Sequence, residues 1–288
     1  MWVYREPKII AELGCNHQGK LEKALRMVDV ISACGGSGVK LQKRFPKAMP
    51  KEKYNAPHPN PEHAFGKMYG EHREALELTL DEHHEIKQRC EKYKILYGLS
   101  IFDKESADQV IGSDLRPDYI KIGSGQNLDF PLMQYLRDHY QGPIHLSLGM
   151  TTRDEVDKIR AFWQRHDSRI VYYHCVSGYP IDVKDACLKE ITNIRYQEAL
   201  GIGFSGHHLG IGIDAAAYAM GAEWIERHFT LDKTAKGTDQ AMSIDAGELT
   251  QLVKNLSECY RALTYKPAGL IEVEKPIRER YKCCREAS

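Results

Sequence analysis

The sequence predicts a single-domain (β/α)8 barrel of the α/β class. Two observations carry that expectation. Short apolar segments alternate strictly with amphipathic ones through eight repeats, and eight βα units close into a parallel barrel. The open doubly wound sheet is the competing architecture. It would normally place GxGxxG after the first strand, where the chain has Gly14-Cys15-Asn16-His17-Gln18-Gly19. A length of 288 residues suits one such domain.

The elements follow in order. Strand one is Lys8–Leu13, with a helix from about Lys20 to Cys34 whose apolar stripe is Leu21, Leu25, Val28 and Ile31 and which Gly35-Gly36 stop. Strand two is Gly38–Gln42, and Lys40 and Gln42, two apart, share a face. Residues 43–79 hold five of the twelve prolines and read as a long loop, the usual form of a lid or binding segment. A helix over about Leu80–Tyr93 precedes strand three, Ile95–Ser100. Another over Lys104–Ile111 precedes strand four, Tyr119–Ile122, which ends in Gly123-Ser124-Gly125. Then come a helix over Phe130–His139, strand five at Ile144–Leu148, and a helix capped by Thr151 or Thr152. Strand six, Arg169–Tyr173, leads to a helical stretch within Asp182–Leu200. Strand seven, Ile202–Phe204, delivers His207. An Ala-rich helix follows, and strand eight, Trp224-Ile225, delivers Glu226, Arg227 and His228. The last helix spans about Gly247–Leu263, so the barrel occupies 1–263 and a charged tail 264–288.

Lys+Arg and Asp+Glu both number 40, which gives no basic excess for nucleic acid and no basic amphipathic face for a membrane. The N-terminus MWVYREPKII lacks an apolar signal-peptide core. Eight scattered cysteines without CxxC pairs fit a reducing, cytoplasmic setting rather than a disulfide framework.

In a closed barrel the C-terminal strand ends share one mouth, where catalysis sits. The strands deliver to it Glu12, Lys40, Gln42, Ser100, Lys121, Ser124, Ser147, Ser177, Tyr179, His207, Glu226 and His228, with Asp239 from the loop after strand eight. Two imidazoles at neighbouring strand ends suit a divalent metal with open positions; the plain alternative is two unrelated polar strand ends. Two lysines inside short strands suggest an anion pocket, because an unpaired buried ammonium is costly; the alternative is that each pairs with a neighbouring Glu. His83-His84 read as a solvated helix face. Lys43-Arg44 read as solvated loop, with a sugar phosphate as the other option.

IIAELGCNHQG, GVKLQK, YGEHREALE, YIKIGSG, LSLGM, HCVSGYP, GFSGHHLGIG and WIERHFTLDKTAKGTD follow the motif order of the sialic acid synthase family, which the chain resembles over roughly residues 8–250. The resemblance implies metal-dependent condensation of phosphoenolpyruvate with an N-acylmannosamine or its 6-phosphate. The products would be a 2-keto-3-deoxy sugar acid and phosphate. It implies a metal, Mn2+ foremost with Mg2+ or Co2+ as alternatives, on His207 and His228. It puts Lys40, Ser100, Lys121, Ser124, Ser147 and Ser177 around phosphoenolpyruvate, and Glu12, Gln42, Tyr179, Glu226 and Asp239 around the sugar. Glu12 and Glu226, with Lys121, are the candidates for catalysis; the carboxylates equally suit sugar hydroxyls. The GFSGH and KGTD wording, with YGEHREALE, resembles the animal-type synthases that use the 6-phosphate.

Departures from the family pattern are Gln126, Leu148 and Ser177, and a chain that stops where the family continues into an antifreeze-like domain. That domain supplies an arginine to the sugar across a dimer. A separate antifreeze-like protein or another loop of this chain is the expected substitute, and a homodimer, where one forms, is expected to rest on the barrel. A synthase for a different aldehyde, in natural-product or surface-glycan synthesis, and a non-catalytic binding protein on the same barrel are the competing readings.

Overall fold

The computed structural model describes residues 4–164, 166–194 and 199–282. Eight parallel strands pair in sequence order and close into a barrel: β1 Lys8–Glu12, β2 Gly38–Lys43, β3 Leu96–Ile101, β4 Tyr119–Ile122, β5 Ile144–Ser147, β6 Ile170–Cys175, β7 Gly201–Gly206 and β8 Trp224–His228. The barrel expected from the alternation is therefore present. Closure occurs between β1 and β8, where Glu12 lies opposite His228. The remaining register brings Glu12 beside Lys40, Ser100 between Gln42 and Lys121, and Ser205 beside Glu226. A polar layer thus crowns one end of an apolar tube.

The helices are α1 Leu21–Ala33, α2 Lys51–Tyr54, α3 Tyr69–Glu74, α4 Leu80–Tyr93, α5 Lys104–Gly112, α6 Phe130–His139, α7 Arg153–Trp163, α8 Glu190–Asn193, α9 Asp214–Ala219, α10 Ala246–Ala262 and α11 Lys275–Tyr281. Thr79, Thr152 and Asp245 each accept a backbone N–H from a Glu three residues on, whose carboxylate reaches back; these capping boxes fix the starts of α4, α7 and α10. Two cores result. One fills the space between sheet and helices. The other lies inside the barrel, where Ile10, Tyr119, Val171, Tyr173 and Trp224 pack together. Gly98 and Gly203 admit those tyrosines: a Cβ on either would lie 2.1 Å or 2.4 Å from the ring of Tyr119 or Tyr173. The rings form the floor beneath the polar layer.

Several expectations change. Residues 43–79 are not a bare loop: they hold two 3-10 turns, Pro46–Ala48 and Pro61–His63, with α2 and α3. Among the described residues the helical stretch expected within Asp182–Leu200 is a 3-10 turn, Val183–Ala186, followed by the single turn α8. His83 is fully buried, with Nδ1 2.7 Å from the Tyr97 hydroxyl, because α4 turns that face onto the sheet; the solvated reading was wrong for it. The tail carries a 3-10 turn at Glu272–Glu274 and the exposed α11. Cys283 and Cys284 lie outside the described residues. The six described cysteines are free thiols. Among the described residues no helix is long and apolar enough to cross a membrane.

Candidate active site

The C-terminal mouth holds a cavity of about 220 Å3, lined by twelve of the thirteen residues assigned above from the strand ends and their loops; Asp239 lines the adjoining cavity instead. At the floor sit two buried ion pairs. Lys40 Nζ lies 2.7 Å from Glu12 Oε2 and 3.6 Å from Glu226 Oε1, and donates to Ser100 Oγ at 2.8 Å. Lys121 Nζ donates to both Glu226 oxygens at 2.8 Å and stands 3.8 Å over the Tyr173 ring. Ser205 donates to Glu226 at 3.1 Å, and Gln42 to Glu12 at 2.7 Å.

This corrects the expectation of unpaired ammoniums. Each lysine has a carboxylate partner, because burying both charges together costs far less than burying one. Burial would raise the Glu226 carboxyl, but Lys121 and Lys40 hold it well below its usual range. The lysines diverge in response. Burial pulls both down; Glu12 and Glu226 more than offset it for Lys40, whereas the charge of Lys40 adds to it for Lys121, whose affinity for its proton is lowered.

Serine hydroxyls form the next tier. A Cβ on Gly149 would fall 2.5 Å from Ser124 Oγ and 2.8 Å from Ser177 Oγ, so glycine keeps open the space on which they converge. Ser177 Oγ is buried without a hydrogen-bond partner among the described residues. Asn127, which the sequence reading did not single out, donates to the carbonyls of Ser147 and Gly149 at 3.0 and 2.9 Å and ties the β4 and β5 loops together. An orphaned hydroxyl in a cradle held open by glycine fits an oxyanion.

His207 and His228 lie with ring centroids 5.6 Å apart, and the Tyr179 ring lies tilted at 4.2 Å from His207. His207 Nδ1 lies 2.9 Å from the Val176 carbonyl, which fixes Nδ1 as the protonated nitrogen and leaves Nε2 as a lone-pair donor. Cys175 Sγ is 3.9 Å from the same Nδ1. His228 Nδ1 is 3.6 Å from Asp239 Oδ2, and burial lowers its pKa despite the pull of Asp239, so the ring is neutral near pH 7. Burial pulls His207 down as well, but Cys175 and the Val176 carbonyl more than offset it and raise its pKa, so His207 must shed a proton to bind a cation; two imidazoles at this spacing would then suit a divalent ion. Among the described residues no group of three or more His, Cys, Asp or Glu is placed to hold a metal ion, so the site offers a pair of imidazoles and not a larger set of such ligands.

Behind this pair, Arg227 and Asp214 make a fully buried ion pair, and Arg227 NH2 donates to the His208 carbonyl at 2.7 Å. That network clamps β8 to the end of β7 next to both histidines. Arg44 also departs from expectation: its guanidinium stacks 3.5 Å over the Phe102 ring and lines the adjoining cavity, while Lys43 is buried against the Leu78 carbonyl at 2.8 Å.

A (β/α)8 barrel with lysine–glutamate pairs, a hydroxyl cradle and two neighbouring imidazoles at its C-terminal mouth has the construction of an enzyme for small anionic substrates. The chain belongs to the NeuB family, whose profile matches residues 27–267. It is 33% identical over 280 residues to the N-acetylneuraminate-9-phosphate synthase of Homo sapiens, covering 94% of this chain and 75% of that protein. It is 30% identical over 283 residues to the N,N'-diacetyllegionaminic acid synthase of Legionella pneumophila, covering 94% and 77%. A crystal structure of an N-acetylneuraminic acid (sialic acid) synthetase from Leptospira borgpetersenii in complex with citrate superposes with a TM-score of 0.81. The two share 27% identity, over 98% of this chain and 94% of that one. The chain is thus an enzyme of the sialic acid synthase type.

Proposed function

We propose that the chain condenses phosphoenolpyruvate with the open-chain aldehyde of an N-acylmannosamine-type sugar, with a divalent metal, Mn2+ foremost, held by His207 and His228. The observation that carries this reading is the single mouth in which a hydroxyl cradle, two lysines and two oriented imidazoles converge. Family membership and the relatives' printed activities support it.

Lys40 and Lys121, with Ser100, Ser124, Ser147 and Ser177, hold the carboxylate and phosphate of phosphoenolpyruvate. Because Glu12 and Glu226 already balance the two lysines, a polyanion entering this layer needs further positive charge. A divalent ion held by His207 and His228 would supply that charge and the Lewis acidity suited to an aldehyde oxygen. Glu12, Gln42, Tyr179 and Asp239 accept and donate around the sugar.

In the reaction, C3 of phosphoenolpyruvate bonds to the aldehyde carbon, and water adds at C2. One proton from that water ends on the former aldehyde oxygen. The C2–O bond to phosphate then breaks, the added oxygen becomes the ketone, and the second proton leaves with phosphate. Glu12 and Glu226 are the groups placed to relay these protons, and Lys121, with its weakened hold on its proton, stands against Glu226 for the same relay. The sequence resemblance led to the same sharing of roles.

The test measures phosphate release from phosphoenolpyruvate with a panel of free and phosphorylated aldoses, with and without Mn2+. Mn2+ binding is read separately by electron paramagnetic resonance. His207→Ala is expected to lose Mn2+ binding and turnover while keeping its circular dichroism spectrum. No turnover with any aldose would sink the reading, and full Mn2+ binding in the variant would remove the metal assignment.

A further inference from the structure

Beneath the ring floor, at the end of the barrel opposite the charged mouth, lies a cavity of about 290 Å3. Lys8, Tyr119 and Trp224, which begin β1, β4 and β8, line it together with His145 of β5. Catalysis in this fold sits at the C-terminal end, so the condensation chemistry leaves this cavity unused. Its walls nevertheless hold two buried polar groups without partners. His145 is 0% exposed and Tyr119 1%. Among the described residues neither His145 Nε2 nor the Tyr119 hydroxyl has a hydrogen-bond partner.

The His145 ring is not free to turn and repair this. Its Nδ1 lies 3.0 Å from the Tyr173 hydroxyl, it stacks on Tyr119 with centroids 3.8 Å apart, and Trp224 meets it edge-on at 4.5 Å. Burial, then the charge of Lys121, hold its pKa well below the ordinary 6.5, so the ring is neutral and carries one N–H. The Tyr173 hydroxyl has Nδ1 as its acceptor, which puts the imidazole hydrogen on Nε2. A buried N–H without an acceptor is costly, and a molecule that brings the acceptor gains that difference on binding.

Three features define what fits. The walls are aromatic rings with the Leu96, Pro143 and Leu200 side chains, which favours a flat ring over water. The two orphaned groups call for an acceptor oxygen or nitrogen. The rim sets Arg5 and Lys8 against Glu6, Asp118 and Glu223. Lys8 Nζ stands 4.3 Å over the Trp224 ring, and Arg5 NH1 lies 3.5 Å from Glu223 Oε2. An ion of either sign would shed its hydration against apolar walls and meet a rim of mixed charge.

We infer that this end of the barrel is a binding site for a small neutral heteroaromatic molecule whose carbonyl or ring-nitrogen acceptor takes the His145 Nε2 hydrogen. The volume lies at the small end of ligand pockets, which run from about 300 Å3 upward, and so takes a single ring with a short substituent. The Tyr119 and Tyr173 rings separate the site from the charged mouth, and it stands independently of the condensation reading.

Nicotinamide is the probe, a neutral ring with a carbonyl and a ring nitrogen. Benzene lacks the acceptor, and nicotinate adds a charge. NMR titration of the isotope-labelled full chain measures the affinities, and a crystal soaked with nicotinamide gives the position. A one-ring ligand is expected to bind with a Kd on the order of 1 mM. Nicotinamide should bind at least about fivefold more tightly than benzene or nicotinate, the factor that matching a buried donor brings. His145→Phe keeps a ring but removes the donor, and should lose about the same factor. Tyr119→Phe should lose about two- to threefold. The Tyr119 hydroxyl makes no hydrogen bond in the fold, so this variant serves if His145→Phe, which strands the Tyr173 hydroxyl, unfolds. The ratio of nicotinamide to benzene affinity in the wild type needs no variant.

Nicotinamide bound at this end supports the inference whether or not any aldose is turned over. Displacement of the probe by phosphoenolpyruvate, density at the charged mouth instead, or ordered water only in the lower cavity of the soaked crystal would each overturn it. Equal affinities for the three molecules, or unchanged binding in both variants, would do the same.

Discussion

Replacing Glu226 by Gln is the sharpest probe of the charged floor. Glu226 receives both Lys121 hydrogen bonds at 2.8 Å, approaches Lys40 at 3.6 Å, and has a side chain 5% exposed against 2% for Lys121. At 2.8 Å and an effective dielectric of about 20, the pair attraction is about 6 kcal/mol. The amide recovers part of this through a hydrogen bond, so the expected loss is about 3–5 kcal/mol, as for other buried pairs stripped of one partner. Against a typical stability of about 5–15 kcal/mol, the variant folds but melts well below the wild type. Removing the lysine as well, in Lys121→Gln/Glu226→Gln, deletes the stranded charge and is expected to recover at least about 2 kcal/mol. The sign with pH follows. In Glu226→Gln the Lys121 pKa falls further below its unfolded value, so the unfolded state holds its proton more tightly and stability rises with pH towards 10. Urea unfolding of the two variants and the wild type at pH 7 and pH 9 measures all three. A loss under about 1 kcal/mol for Glu226→Gln, or no recovery in the double variant, would refute the view that this carboxylate holds the lysines in place.

Two further outcomes are expected. Gly149→Ala puts a methyl 2.5 Å from Ser124 Oγ and 2.8 Å from Ser177 Oγ. The hydroxyl cradle closes, and the KM for phosphoenolpyruvate should rise by about tenfold or more with the fold intact; an unchanged KM in steady-state assays would show that the cradle does not bind it. Burial lowers His17 to about 4 and His83 to about 3 from an ordinary 6.5, so both contribute stability above pH 6.5 that is lost as pH falls toward those values. The loss is about 3 kcal/mol each by pH 4, and His83→Gln should flatten the decline in melting temperature between pH 6.5 and 4.5; a flat wild-type profile over that window would contradict it.

The barrel was legible because periodicity and strand alternation are local properties. The boundaries of β4 and α6 read from the sequence coincide with those in the structure, and α1 and α4 begin or end within a residue of the reading. The strand-end residues were legible as a group for the same reason: parallel closure forces them to one mouth. Pairing was not legible. Nothing in the spacing of Lys40, Lys121, Glu12 and Glu226 states that the two lysines meet the two carboxylates, since Lys121 and Glu226 are brought together across the barrel from strands 105 residues apart. His83 and Arg44 were misread because a polar residue in a helix or loop looks solvated until the surface packed against it is known. Asn127, Ser205 and Gly149 act through contacts with neighbouring strands and loops, and no local pattern marks them.

The sequence by itself determined the order of strands and helices, the face of each strand and the residue types offered at the barrel mouth. Those depend on side-chain period and chain connectivity alone. The tertiary structure decided which of the charges neutralise one another and which stay free. Glu12 and Glu226 take up Lys40 and Lys121, whereas Arg44 and Arg73 form no ion pair among the described residues and line the cavity beside the barrel mouth. The physical reason is that Coulomb energy and desolvation depend on distance and burial in three dimensions, and a sequence specifies these only once the barrel has closed.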